Sequence, residues 1–180
     1  MGKFSNAIQP HHREFIEKQQ MFFVATAPLS GSGHVNLSPK GIDGFKVLSD
    51  HKVGYMDLIG SGNETAAHTL ENGRITFMFC AFQGPPNILR LYGKGAPVLP
   101  GTAAWEEFAP HFSILPNTRQ LIIADIELVQ TSCGYVVPLY EHTGERTIME
   151  EWVAKKGPDG LANYIQEKNR VSLDGLPTGL

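Results

Sequence analysis

Val53-Gly54-Tyr55-Met56-Asp57-Leu58-Ile59-Gly60-Ser61-Gly62-Asn63-Glu64-Thr65 begins as an apolar run, passes two glycines and ends in residues that open a helix. The β-branched and aromatic residues at its head suit a pleated, half-buried surface, which predicts a strand over 52–59. Ser61-x-x-Glu64 has capping-box spacing, Ala66, Ala67 and Leu70 favour a helix, and Gly73 after Asn72 supplies its stop. A strand that ends in glycines at a helix start presents free backbone N–H groups and the positive end of the helix, which suits an anionic phosphate. The same glycines can also serve only to turn the chain.

Strands are predicted on both sides of this stretch, at 21–27, 34–38, 45–48, 74–82, 88–98 and 121–131, with Gly31-Ser32-Gly33 turning the first into the second. Spacings this short leave no room for the crossover helices that parallel neighbours need, so the sheet is expected to be antiparallel. Short helices are predicted over 10–20 and 102–109. After Tyr140 the pattern becomes helical, with Ile148, Met149, Trp152 and Val153 on one stripe and Leu161, Tyr164 and Ile165 on another. The expected fold is mainly β with peripheral helices, a small antiparallel barrel. Residues 1–180 form one domain with a helical extension from about 141, and the Gly- and Pro-rich residues 176–180 form an extended arm.

Composition narrows the function. The 180 residues are 42% hydrophobic and 18% charged, ordinary for a globular domain. Fifteen Lys and Arg against eighteen Asp and Glu give a net charge of -3, so no overall field draws the chain to nucleic acid or an anionic membrane. Cys80 and Cys133 form no Cys-x-x-Cys pair, and Cys80 within Ile75-Thr76-Phe77-Met78-Phe79-Cys80 suits a core thiol. None of the seven histidines makes a His-x-x-x-His pair, so no metal site is expected. Gly60-x-Gly62 lacks the third glycine of the dinucleotide fingerprint, whose place Thr65 holds. Residues 1–10 contain no apolar stretch long enough for a signal peptide, and a reducing cytoplasm fits the cysteine usage. Two cations stand near the glycine junction in this reading: Lys40 at a strand end, and Arg90 in the apolar strand Ile88-Leu89-Arg90-Leu91-Tyr92. Each either points to solvent or neutralises an anion.

The order of elements resembles the pyridoxamine 5'-phosphate oxidase-like proteins, which use an FMN-binding split β-barrel. The resemblance runs over 21–131. It is carried by His34-Val35-Asn36-Leu37-Ser38-Pro39-Lys40-Gly41, by the stretch from Val53 to Thr65, and by Ile88-Leu89-Arg90-Leu91-Tyr92-Gly93-Lys94-Gly95. It implies an FMN-dependent oxidoreductase acting on a small-molecule substrate or electron donor, with FMN at the interface of a homodimer. By position, Asn36, Ser38 and Lys40 would line the second strand, Asp57 and Leu58 would pass beside the flavin, and Ser61, Asn63 and Thr65 would meet the phosphate or ribityl chain. Arg90 would reach in from a later strand. The alternatives are a flavin-binding dimer without catalysis, or a split barrel that takes deazaflavin or haem. The family's oxidases carry a basic pair where this chain has Asn63-Glu64-Thr65, so Glu64 is expected to turn away and close the capping box. Their basic substrate-binding C-terminal segment has no counterpart in Ser172-Leu173-Asp174-Gly175-Leu176-Pro177, and the vitamin B6 reaction is not implied. The apolar strands 74–82 and 121–131 are expected to leave hydrophobic surface for a two-fold partner.

Overall fold

The computed structural model of the chain describes residues 2–180, without the side chain of Ile42. The strands are β1 (Lys3–Ser5), β2 (Met21–Thr26), β3 (Asn36–Gly41), β4 (Phe45–Ser49), β5 (Lys52–Leu58), β6 (Arg74–Cys80), β7 (Ile88–Val98) and β8 (Thr118–Ser132). They form one antiparallel sheet in the order β3-β2-β6-β7-β8-β5-β4. β8 pairs with β7 along one edge, while its other edge takes β5 in its first half and β1 in its second.

Alternation sets the inner face. β2 buries Phe22, Val24 and Thr26, β6 buries Ile75, Phe77 and Phe79, and β7 contributes Leu89 and Leu91 to the same core. The Phe22 ring lies 4.9 Å from Phe45 and 5.6 Å from Tyr55, residues of β4 and β5 at the far end of the strand order. The sheet has therefore curled until its two ends meet through side chains. Among the described residues no ladder joins β3 to β4, so the barrel is split. Truncating a ring so enclosed costs about 3–5 kcal/mol.

Among the described residues four α-helices surround the sheet: α1 (Pro10–Glu17), α2 (Glu64–Asn72), α3 (Ala103–Phe108) and α4 (Ile148–Lys168). In α3, Thr102 caps the first turn by accepting from the Trp105 N–H at 3.2 Å. Trp105 and Phe108 then cover a second apolar cluster of Met56, Val98, Phe112, Leu121 and Ile123. Gly73 ends α2 with φ 75°, the left-handed conformation that glycine adopts without steric cost. None of the described helices is long and apolar enough to cross a membrane.

Several local expectations change. β1 is new, and β3 begins at Asn36 rather than His34, with Pro39 tolerated because β3 is an edge. β8 starts three residues early, at Thr118. The capping box at Ser61 does not form: α2 starts at Glu64, with Asn63 as its N-cap and no side chain capping the first turn. The two helical stripes after Tyr140 keep their separation on the two sides of Gly157-Pro158, where Gly157 leaves helical geometry with φ 62° and ψ 175°. Residues 176–180 are no free arm, for Thr178 is fully buried and Val171 bridges Pro177.

Candidate functional site

Asn36, Ser38, Lys40, Asp57, Leu58, Ser61, Asn63 and Thr65 line one cleft of about 350 Å³, together with Gly60, Gly62, Glu64 and Arg119. Four elements converge there. β3 supplies Asn36, Ser38 and Lys40, whose side chains share a face because they alternate along the strand. The end of β5 and the glycine turn supply 57–62, and α2 supplies Thr65 from its first turn. β8 closes the cleft with Arg119, a position taken for loop in the sequence because the apolar run begins only at Leu121.

Asp57, at 1% exposure, is the electrostatic centre. The Arg119 Nε donates to its Oδ2 at 2.8 Å, the Gln120 Nε2 to the same oxygen at 2.7 Å, and the Lys40 Nζ to Oδ1 at 3.3 Å. Burial alone would push this carboxyl up, yet the charges of Arg119 and Lys40, with the bonds from Arg119 and Gln120, hold it below its ordinary value. The neighbouring Tyr55 phenol is pushed well up by burial and by the Asp57 charge. Two cations meet this one carboxylate, Glu64 brings a second carboxylate to the cleft lining, and the Arg119 Nη1 is buried without a protein partner. An unpaired guanidinium N–H is costly unless something accepts from it.

The polar walls are prearranged. Asn36 donates to Thr26 and Thr65 hydroxyls at 3.2 Å each, and Ser38 donates to the Asn36 Oδ1 at 2.8 Å. Thr26 in turn meets His68 Nδ1 at 3.0 Å, so that histidine belongs to the support of the cleft and does not line it. Asn63 accepts from Gln120 at 2.8 Å and donates to the Asn169 carbonyl at 3.2 Å, which leaves the first-turn N–H groups of α2 without a side-chain cap. Glu64 does turn away, but toward the Leu173 N–H, which both its oxygens accept at 3.1 Å.

Arg90 stands apart. Its Nη1 donates to Ser132 at 3.0 Å on β8, and it does not line the cleft. Cys80 is buried in the sheet, and burial pushes its thiol up. The strands 74–82 and 121–131 leave little apolar surface: Ile75, Phe77, Phe79, Ile122, Ile126 and Val129 are buried inside the chain. The exposed apolar residues lie elsewhere, with Val35 and Leu37 at and before the β3 edge and Tyr135, Val136, Leu139 and Tyr140 after β8.

Residues 8–133 match the pyridoxamine 5'-phosphate oxidase family. The chain is 36% identical, over 196 aligned positions, to the pyridoxamine 5'-phosphate oxidase family protein ustO of Aspergillus flavus, covering 98% of this chain and 78% of that one. Among solved structures, HupZ from Group A Streptococcus superposes with a TM-score of 0.51 at 19% identity, covering 67% of this chain and 91% of that one. A Lactobacillus delbrueckii protein to which pyridoxamine 5'-phosphate oxidase activity is provisionally ascribed superposes with a TM-score of 0.52 at 12% identity, covering 69% and 94%. A curled, split antiparallel barrel with this cleft, matched over that length, places the chain in the pyridoxamine 5'-phosphate oxidase-like family.

Proposed function

We propose that the chain is an FMN-dependent oxidoreductase acting on a small molecule, as a two-fold dimer. The observation that carries this reading is Arg119, held by Asp57 at the cleft wall with its Nη1 unanswered, in the cleft that the uncapped first turn of α2 also lines. That arrangement suits one terminal phosphate. The hydroxyls of Ser38, Ser61 and Thr65 and the carboxamide of Asn36 line the same cleft and fit a polyhydroxylated ribityl chain. Among the described residues that line the cleft there is no His, Cys, Met or Tyr, the usual protein ligands of haem iron. When bound, FMN supplies hydride or electron transfer, and the protein supplies position and field.

Lys40, Leu58 and Gly60 also border a larger cavity of about 870 Å³ between the barrel and the first half of α4. Phe22, Met56, Leu115, Met149 and Val153 make its walls largely apolar, and Arg146 and Glu150 give it polar rims. A substrate in this cavity would lie beside the flavin, with water displaced from the apolar walls. The dimer reading is supported by the exposed apolar residues of the β3 edge and of 135–140. In such a dimer Arg90 serves its partner's flavin rather than its own.

The visible absorption spectrum of protein purified without added cofactor tests the reading, followed by denaturation and chromatography of the released pigment. Flavin bands and recovered FMN are expected. A haem Soret band, recovered FAD, or a colourless protein that FMN cannot reconstitute would overturn it.

A further inference from the structure

The segment 169–178 lies outside the family match and folds back against the cleft. Asn169, fully buried, follows α4 directly. Its Nδ2 donates to the Gly60 carbonyl at 2.8 Å, and its own carbonyl accepts from Asn63 Nδ2 at 3.2 Å and from Thr178 Oγ1 at 2.5 Å. The segment closes on itself through Ser172 N–H to the Leu176 carbonyl and Thr178 N–H to the Arg170 carbonyl. Along the way Leu173 N–H holds the Glu64 carboxylate, and Asp174 accepts from both the backbone N–H and the Nδ1 of His34 at 2.7 Å.

One short loop thus grips the glycine turn, the first residue of α2 and the approach to β3. The turn 60–62 needs such a grip, since it belongs to neither a helix nor a strand and two of its three residues are glycine. A phosphate cradle made of backbone N–H groups binds well only if those groups are already in place. From Asn63 the contact passes on to Gln120 and through it to Asp57, the anion that orients Arg119.

We infer that 169–178 is a clasp that holds the phosphate-binding turn in its binding geometry, with Asn169 and Thr178 as positioning residues; the inference rests on the FMN reading above. Riboflavin has the ring and ribityl chain of FMN but no phosphate, so it separates a positioned turn from a merely stable fold. In Asn169→Ala and Thr178→Val, FMN affinity falls about three- to tenfold, the worth of one net hydrogen bond, while riboflavin affinity stays within about twofold. Thr178→Ser keeps the hydroxyl and keeps wild-type affinity, which decides the matter should Asn169→Ala fail to fold. In the flavin-free proteins, amide exchange of Asn169→Ala and Thr178→Val speeds up at 60–66 and is unchanged in β6 and β7. Equal losses for FMN and riboflavin, or unaltered exchange at 60–66, would overturn the clasp. A wild-type protein that binds neither flavin would overturn the FMN reading instead, and the exchange comparison then decides the clasp alone.

Discussion

Asp57 shows how one buried carboxylate organises several neighbours. A charge that deep is costly unless paired and hydrogen-bonded, and Lys40, Arg119 and Gln120 together do both. Its carboxyl is held below the ordinary 3.8, so the stability it contributes is complete above that value and is lost as pH falls through the depressed native value. Urea unfolding of wild type and Asp57→Asn should therefore show the largest difference near neutrality, shrinking only in strong acid; a gap that widens as pH falls would contradict the sign. Arg119 is tested by binding. Arg119→Ala should weaken FMN by about one to two decades, the worth of a charge-assisted hydrogen bond. Arg119→Lys should recover only part, because an ammonium cannot replace the planar fork. Lys94→Ala, whose side chain is exposed and meets only the Asn72 carbonyl at 3.4 Å, should leave affinity unchanged by fluorescence titration. The cleft residues legible in the sequence, from Asn36 to Lys40 and Asp57 to Thr65, are those presented by short local motifs. Arg119, which lines the cleft, and Gln120, Asn169 and Thr178, which support it, were not legible, because each acts through a tertiary contact that leaves no local pattern.

Elements were legible where burial imposes a period. β2, with half-buried and buried residues in strict alternation, and β7, with its buried Leu89 and Leu91, match their expected positions closely. Lys3–Ser5 is too short and too polar to show a period, and it becomes a strand only because the second half of β8 offers a free edge. The capping-box spacing at Ser61 misled for a physical reason: Glu64 finds the Leu173 N–H, a partner distant in sequence that no local motif anticipates. The β7–β8 pair also contains a sharp steric test. Its register shifts between Tyr92 and Gly93, and a Cβ at Gly93 would stand 2.0 Å from the Asp125 carbonyl oxygen. That oxygen is backbone in the middle of the sheet and cannot swing aside. Gly93→Ala should cost at least about 1–3 kcal/mol, measured as a lower urea midpoint with an unchanged slope, whereas Gly31→Ser, at a turn where an added Cβ meets nothing, should cost less.

At the scale of the whole molecule, the separation of Arg90 from Arg119 makes the proposed dimer testable by complementation. Mixing an Arg119→Ala chain with an Arg90→Ala chain pairs the intact Arg119 of one with the intact Arg90 of the other. Half of the sites in the mixed dimers should then bind FMN with wild-type affinity, as counted by calorimetric stoichiometry. If both arginines served the site of their own chain, every site would stay impaired. The central place of β8 bears on biosynthesis. β5 cannot complete its pairing until the chain has been made as far as Asp125, nor β1 until Thr131, and the Asn169–Thr178 contact waits for residues further still. The partnerships that close the barrel join strands far apart in sequence, which puts folding in the slow, millisecond-to-second range of β-rich topologies. On the ribosome the earlier strands must wait with open edges, a period of exposure to misassociation. The lining of the cleft ends at Arg119, whereas the segment that holds its glycine turn comes later, so the turn gains that hold only once Asn169 and Thr178 have been made.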